Sequence, residues 1–240
     1  MPLHDWTKVP SGLFHDFHQT WSIYLKMALN DGLLPSGLSA LVEQRSGPRE
    51  ADVLAVESRA DWQDIGGLLT MEKPKTRFVF KTDNDYYTQK ANRVVIKHHL
   101  GKTVAIIEIV SPGNKDSQSA IRSFVQETVD FLRAGIHVLV IDLFPPTIRD
   151  PNGLHQLIWD EMYEEPLDAI DSDDRVLASF QASDSCIAYV DTVTVGDELP
   201  SMPLFIVDDL HVKVPLASTY QSSWLACPKE VQRLVTSDRQ

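Results

Sequence analysis

The chain has 240 residues, 43% of them hydrophobic and 23% charged, with two cysteines and a net charge of −12. That length and apolar content suffice for a sizeable core, and two cysteines without CxxC spacing exclude both a disulfide scaffold and a zinc ribbon. The charge argues against a protein that coats nucleic acid non-specifically; no run approaches the ~18 apolar residues of a membrane span and residues 1–5 lack a signal-peptide pattern, so a soluble, cytoplasmic protein with no membrane contact is expected.

In chain order, Phe14, Phe17, Trp21, Tyr24, Leu25, Ala28 and Leu29 recur at three- and four-residue steps. This spacing predicts an amphipathic helix over 14–33, ended by Asp31-Gly32. Short β-rich runs follow at 38–44 and 52–56, separated by the turn Ser46-Gly47-Pro48. Residues 60–74 read as a loop and 77–80 as a strand. Two apolar runs, 93–99 and 104–110, flank Leu100-Gly101-Lys102 and predict a β-hairpin. The second run, Val104-Ala105-Ile106-Ile107-Glu108-Ile109-Val110, has the near-continuous apolar character of a central strand covered on both faces. It stops at the turn cluster Ser111-Pro112-Gly113-Asn114. A helix over 117–134 with Gly135 as its C-cap then leads to a second buried strand at 136–143, so the two strands should lie parallel with a right-handed crossover. Beyond Pro145-Pro146 the pattern weakens to a helix at 154–163, strands at 186–195 and 203–207, and a helix at 216–227. The fold class is α/β, a mixed central sheet flanked by helices. One domain spans 1–240, with its core at about 38–143, the N-terminal helix 14–33 and a C-terminal extension over 150–240.

Charge is unevenly spread. Residues 1–72 hold 5 Lys/Arg against 10 Asp/Glu, 73–149 hold 12 against 7, and 150–240 hold 5 against 17. Either acidic residues gather in C-terminal loops, or the basic middle third faces an anion such as a nucleic-acid backbone.

One polar residue interrupts the central strand. A carboxylate at the end of four apolar residues is costly to bury unless something pairs with it, and Glu108 lies where open α/β sheets place their ligands. It reads either as a strand-end Glu reaching solvent or a nearby Lys, or as a metal ligand or general base. Asp52 begins an upstream strand and Glu43 ends the one before it. Two or three carboxylates on one strand-end edge suit Mg²⁺ or Mn²⁺, hard ions that take oxygen ligands and keep waters for chemistry on phosphate. A lysine nearby would stabilise charge on phosphorus, and Lys97 and Lys115 are the candidates. Other features read more simply. His15 and His18 are surface or packing residues, and His98-His99 alternate in a strand and so cannot share one ion. Tyr86-Tyr87 reads as an exposed loop rim. Ser111 opens a turn into the following helix or touches a ligand.

Taken together, Glu43, Asp52-Val, the string Glu108-Ile-Val-Ser-Pro-Gly-Asn-Lys115 and Ala134-Gly-Ile-His-Val-Leu-Val-Ile-Asp142-Leu resemble a bacterial family defined as a domain of unknown function. The N-terminal Phe14-His15-Asp16-Phe17-His18 and the tail Leu199-Pro200-Ser201-Met202-Pro203-Leu204 extend that resemblance over nearly the whole chain. The same core is similar to Uma-type endonucleases of the PD-(D/E)XK nuclease superfamily. The resemblance implies a PD-(D/E)XK nuclease-like core in which Asp52 and Glu108 are the metal carboxylates and Glu43 is an auxiliary acid. The chain departs from that pattern at Val110, where the superfamily has its Lys, and at Ala51, where it has a proline before the first acid. Lys97 or Lys115 would then stand in for the missing lysine. Two functions follow: a Mg²⁺- or Mn²⁺-dependent nuclease that receives nucleic acid on its basic middle third, or a degenerate member of the fold that acts as a binding or assembly module.

Overall fold

The computed structural model describes residues 1–42, 53–57, 72–81, 103–163, 167, 170, 174–183, 186–207 and 210–236. Helix α1 (Ser11–Ala28) opens the fold after a 3-10 turn at Trp6–Lys8. Its apolar stripe is the expected one, with Phe14, Phe17, Trp21 and Leu25 buried. It continues through a wider turn, Leu29–Leu33, in which Gly32 takes a φ of 84° and releases the chain.

Among the described residues, seven strands form one sheet in the order β1-β2-β4-β5-β6-β7-β3. They are β1 (Leu38–Leu41), β2 (Val53–Glu57), β3 (Phe78–Lys81), β4 (Thr103–Ile109), β5 (His137–Asp142), β6 (Arg175–Gln181) and β7 (Ile187–Val193). The β4–β5 pair is parallel and the other pairings are antiparallel. Between β4 and β5 lie one helical turn, α2 (Pro112–Lys115), and α3 (Gln118–Arg133). The Ser117 hydroxyl caps α3 by accepting the Ala120 N–H at 3.1 Å, and Gly135 leaves it at a φ of 76°. The expected strand–helix–strand unit is therefore present. Helix α4 (Leu154–Met162) precedes β6. A second, two-stranded sheet pairs β8 (Met202–Val207) with β9 (Leu210–Val214), followed by α5 (Leu216–Ala226) and α6 (Lys229–Thr236).

Two cores sandwich the large sheet. On one face Ala105, Ile107, Ile109, Leu139 and Ile141 pack with α1, the β8–β9 hairpin and α5. On the other, Val110, Val138 and Val140 pack with α3 and α4. Alternate residues of β4 and β5 thus enter different cores, which is why both strands read as continuous apolar runs. Among the described residues, no helix is long and apolar enough to cross a membrane.

Three sequence expectations change. Both edges of β4 are taken, by β2 across 103–107 and by β5 across 105–109, so β4 is not the second limb of a hairpin with 93–99. Those residues, and most of the expected loop at 60–74, lie outside the described ones. The segment 150–240, expected as an extension, supplies β6 and β7 to the main sheet and contributes to one core through β8, β9 and α5. Strands β6 and β9 and helix α6 had no counterpart in the sequence reading.

The N-terminal segment is fastened to α5 by one hydroxyl. The His4 backbone N–H and the Trp6 Nε1–H donate to Tyr220 Oη at 3.1 and 3.0 Å. They fill its two lone pairs, so the Tyr220 O–H donates in turn to His4 Nδ1 at 3.0 Å, which places the imidazole proton on Nε2. The His4 ring stacks on Trp224 with centroids 3.7 Å apart, and Asp5 pairs with Arg175 at 3.2 Å.

Candidate functional site

Glu108 is buried, with 8% of its surface exposed. It sits in register with Val140 of β5, and alternation puts it on the α3 face with Ile106 and Val110. Asp142, the last residue of β5, lies on that same face one diagonal step beyond Glu108. The C-terminal edge of the parallel pair is thus carboxylate-bearing, where α/β sheets gather chemistry.

The turn cluster after β4 is a capped helical turn. Asn114 Oδ1 accepts the Ser111 backbone N–H and the Ser111 hydroxyl, each at 2.8 Å, while Asn114 N–H returns to Ser111 O at 3.0 Å. Pro112 fits the first helical position, where its missing N–H costs nothing. The Ser111 hydroxyl hydrogen is therefore engaged in the cap, and the residue's observed role is to start α2.

That turn carries Lys115 inward. Its side chain is 5% exposed, and its Nζ lies 2.9 Å from Asp142 Oδ2, 3.0 Å from Pro145 O and 2.7 Å from Asp150 Oδ2. The last is a charge contact without hydrogen-bond alignment. Three oxygens surround an ammonium that has three donors. The expected role of Lys115, a cation turned toward phosphorus, is corrected accordingly: its charge is held inside the fold by two carboxylates. Asp142 Oδ1 also accepts the Phe144 N–H at 3.0 Å. Burial, reinforced by the Asp150 carboxylate and opposed by Lys115 and the Phe144 N–H, pushes Asp142 up to about 6. Asp150 is fully buried, and its Oδ1 accepts both the Thr147 N–H and the Thr147 hydroxyl.

Of the remaining candidates, Asp52, Glu43 and Lys97 lie outside the described residues. Val53, which follows Asp52 in sequence, pairs with Ile107, which precedes Glu108, in an antiparallel ladder. Among the described residues there is no group of three or more His, Cys, Asp or Glu that could hold a metal ion. His15 meets Gln19 at 2.9 Å on the surface of α1, and His18 stacks on Phe14.

The described basic residues of the middle third lie on several separate elements. Lys73, Lys75 and Arg77 belong to β3 or its approach, and β3 lies three strands beyond β5, at the far edge of the sheet. Arg77 reaches Asp191 at 3.9 Å and Thr192 Oγ1 at 2.8 Å, and Arg133 donates to Glu161 O at 3.4 Å. Residues close in sequence are separated because β3 pairs with β7 instead of with β2 or β4.

Sequence reasoning singled out Glu108 and Lys115 but not Asp150, and it assigned Asp142 no role. The available signal was the pairing itself: a last-residue Asp on β5 must flank the end of a parallel β4. Asp150 carries no such signal, because its place depends on a loop folding back over α2. No protein-family model, curated protein or solved structure matches the chain.

Proposed function

We propose that the chain is a divalent-cation-dependent phosphodiester hydrolase of the nuclease-like type, with Glu108 and Asp52 as the carboxylates that hold the cation. The carrying observation is a buried carboxylate, Glu108, at the C-terminal end of the central parallel strand. Two further facts support the pairing with Asp52. The β2–β4 ladder runs toward Glu108 on one strand and toward Asp52 in the sequence of the other. The string Glu108-Ile-Val-Ser-Pro-Gly-Asn-Lys115 is that of the domain-of-unknown-function resemblance, and a Glu followed by Ser-Pro is the part shared with the Uma-type resemblance.

The donor chemistry fits Mg²⁺ or Mn²⁺. Both ions accept one or two carboxylates and complete their shells with water. Asp142 and Asp150 are engaged by Lys115 and leave the ligand set to Glu108 and Asp52, with Glu43 as an auxiliary acid. When bound, the cation supplies an activated water and neutralises charge at phosphorus. The residues of the chain do the positioning: the β4–β5 ladder fixes the Glu108 backbone, and the Lys115 cluster fixes the loops that leave both strands. With Val110 at the usual lysine position and Lys115 turned inward, Lys97 is the lysine left for the phosphate.

Incubating the full chain and its Glu108→Gln and Asp52→Asn variants with plasmid, single-stranded DNA and RNA, with Mg²⁺ or Mn²⁺, tests this. The wild type should cleave at least one of them, and each variant should lose that cleavage while keeping its melting temperature. A wild type that cleaves none, or variants that cleave equally well, would overturn the reading.

One observation favours the second reading, a nuclease fold kept as a binding or assembly module. The Lys115 ammonium is enclosed by three of the protein's own oxygens. On that account Glu108→Gln alters stability or partner binding and no chain form cleaves nucleic acid.

A further inference from the structure

The loop after β5 ends in a turn that is held firmly from below and is open to solvent at its tip. Thr147 and Asp150 bridge across it: Asp150 N–H donates to Thr147 O at 3.1 Å, and Asp150 Oδ1 takes the Thr147 N–H and hydroxyl. The Arg149 N–H donates to Thr147 Oγ1 at 3.2 Å, and Gly153 N–H to Asp150 O at 2.8 Å. Lys115 ties the base of this turn to Asp142 and to Pro145 O. Prolines 145, 146 and 151 restrict the flanks. At the tip, Ile148 is 93% exposed and Arg149 is exposed. Arg149 makes no ion pair among the described residues.

We propose that Ile148 and Arg149 form a nucleic-acid contact, with the Arg149 guanidinium on a backbone phosphate and the Ile148 side chain wedged against the bases. The inference rests on the nuclease-like reading, because the turn is anchored through Lys115 and Asp142 to the strand edge that carries Glu108. A buried ion cluster that fixes the backbone carrying an apolar and a cationic side chain, both open to solvent, sets where they project before any partner arrives. The pair has the chemistry of wedge contacts to nucleic acid, an aliphatic group against a base step beside a cation for the backbone.

The test is fluorescence anisotropy with labelled duplex and single-stranded oligonucleotides, in Ca²⁺ to suppress cleavage, over a range of salt. Full-length wild type, Arg149→Ala and Ile148→Ala are compared. Arg149→Ala should weaken binding and lower the slope of log affinity against log salt by about one. Ile148→Ala should weaken binding by about 5- to 10-fold with the slope unchanged, and should abolish the fluorescence rise of a 2-aminopurine probe on binding. Melting temperatures should not move. Both variants binding as tightly as wild type, or a wild type that binds neither oligonucleotide, overturns the proposal. Loss of self-association in the variants with unchanged oligonucleotide binding would assign the tip to a protein partner and also overturn it. The outcome is separable from that of the hydrolase reading. Variants that bind normally to a chain whose cleavage needs Glu108 defeat only the wedge, whereas tip-dependent binding by a chain that never cleaves defeats only the hydrolase.

Discussion

A side chain withdrawn from water keeps its polar groups only where partners replace the lost hydration, and Tyr220 shows how completely this can be done. Its hydroxyl serves two N–H donors and one imidazole nitrogen, so Tyr220→Phe strands the Trp6 Nε1–H and the His4 N–H at once. Urea unfolding should show a loss of about 2 kcal/mol for that variant, although its apolar contacts are unchanged. The same burial tunes two histidines. Desolvation, aided at His4 by the N-terminal charge, lowers His4 and His155 from 6.5 to about 4. Between those values the unfolded chain binds protons that the folded chain refuses, so stability is unaffected above pH 6.5, falls as pH drops toward 4 and levels off below it. Asp142, raised to about 6, works in the opposite sense: between pH 3.8 and 6 the folded form retains a proton that the unfolded form has released. Imidazole resonances followed by NMR should therefore titrate near 4 for His4 and His155. Midpoints near 6.5 would show that neither ring is as withdrawn as its packing indicates.

At the scale of elements, the βαβ unit is where sequence and structure agree most closely, and the reason is local. A continuous apolar strand, the Ser117 cap, the 3.6-residue stripe of α3 and Gly135 each mark their own place without reference to the rest of the chain. Pairing between distant strands carries no comparable mark. Leu100-Gly101-Lys102 resembles a hairpin turn, yet β4 takes its partners from 53–57 and 137–142. β6 escaped notice because Val176, Leu177, Ala178 and Phe180 are all buried, and burial on both faces removes the alternation that betrays a strand. The site follows the same division. Glu108 was legible as a single acid in an apolar run of sequence, whereas the Lys115–Asp142–Asp150 cluster joins a helical turn, a strand end and a loop that meet only after folding. That cluster gives a direct prediction. Lys115→Met leaves two carboxylates buried together and should cost about 3–5 kcal/mol in denaturant unfolding. Adding Asp142→Asn and Asp150→Asn should restore much of the loss, since no unpaired charge then remains. An unaltered stability in Lys115→Met would mean that the cluster does not hold these loops.

For the whole molecule, the net charge of −12 and the spread of the described basic residues of 73–149 over several elements leave phosphate recognition to particular side chains. The central claim is accordingly about a small oxygen-ligand site at the end of β4. Calorimetric titration of Mg²⁺ and Mn²⁺ into wild type and into the Asp52→Ala/Glu108→Ala double variant, each with and without DNA, tests it most directly. The account predicts that wild type binds the ion and that binding disappears in the double variant while the fold is kept. Equal binding by both proteins, or no binding by the folded wild type even with DNA present, would contradict it.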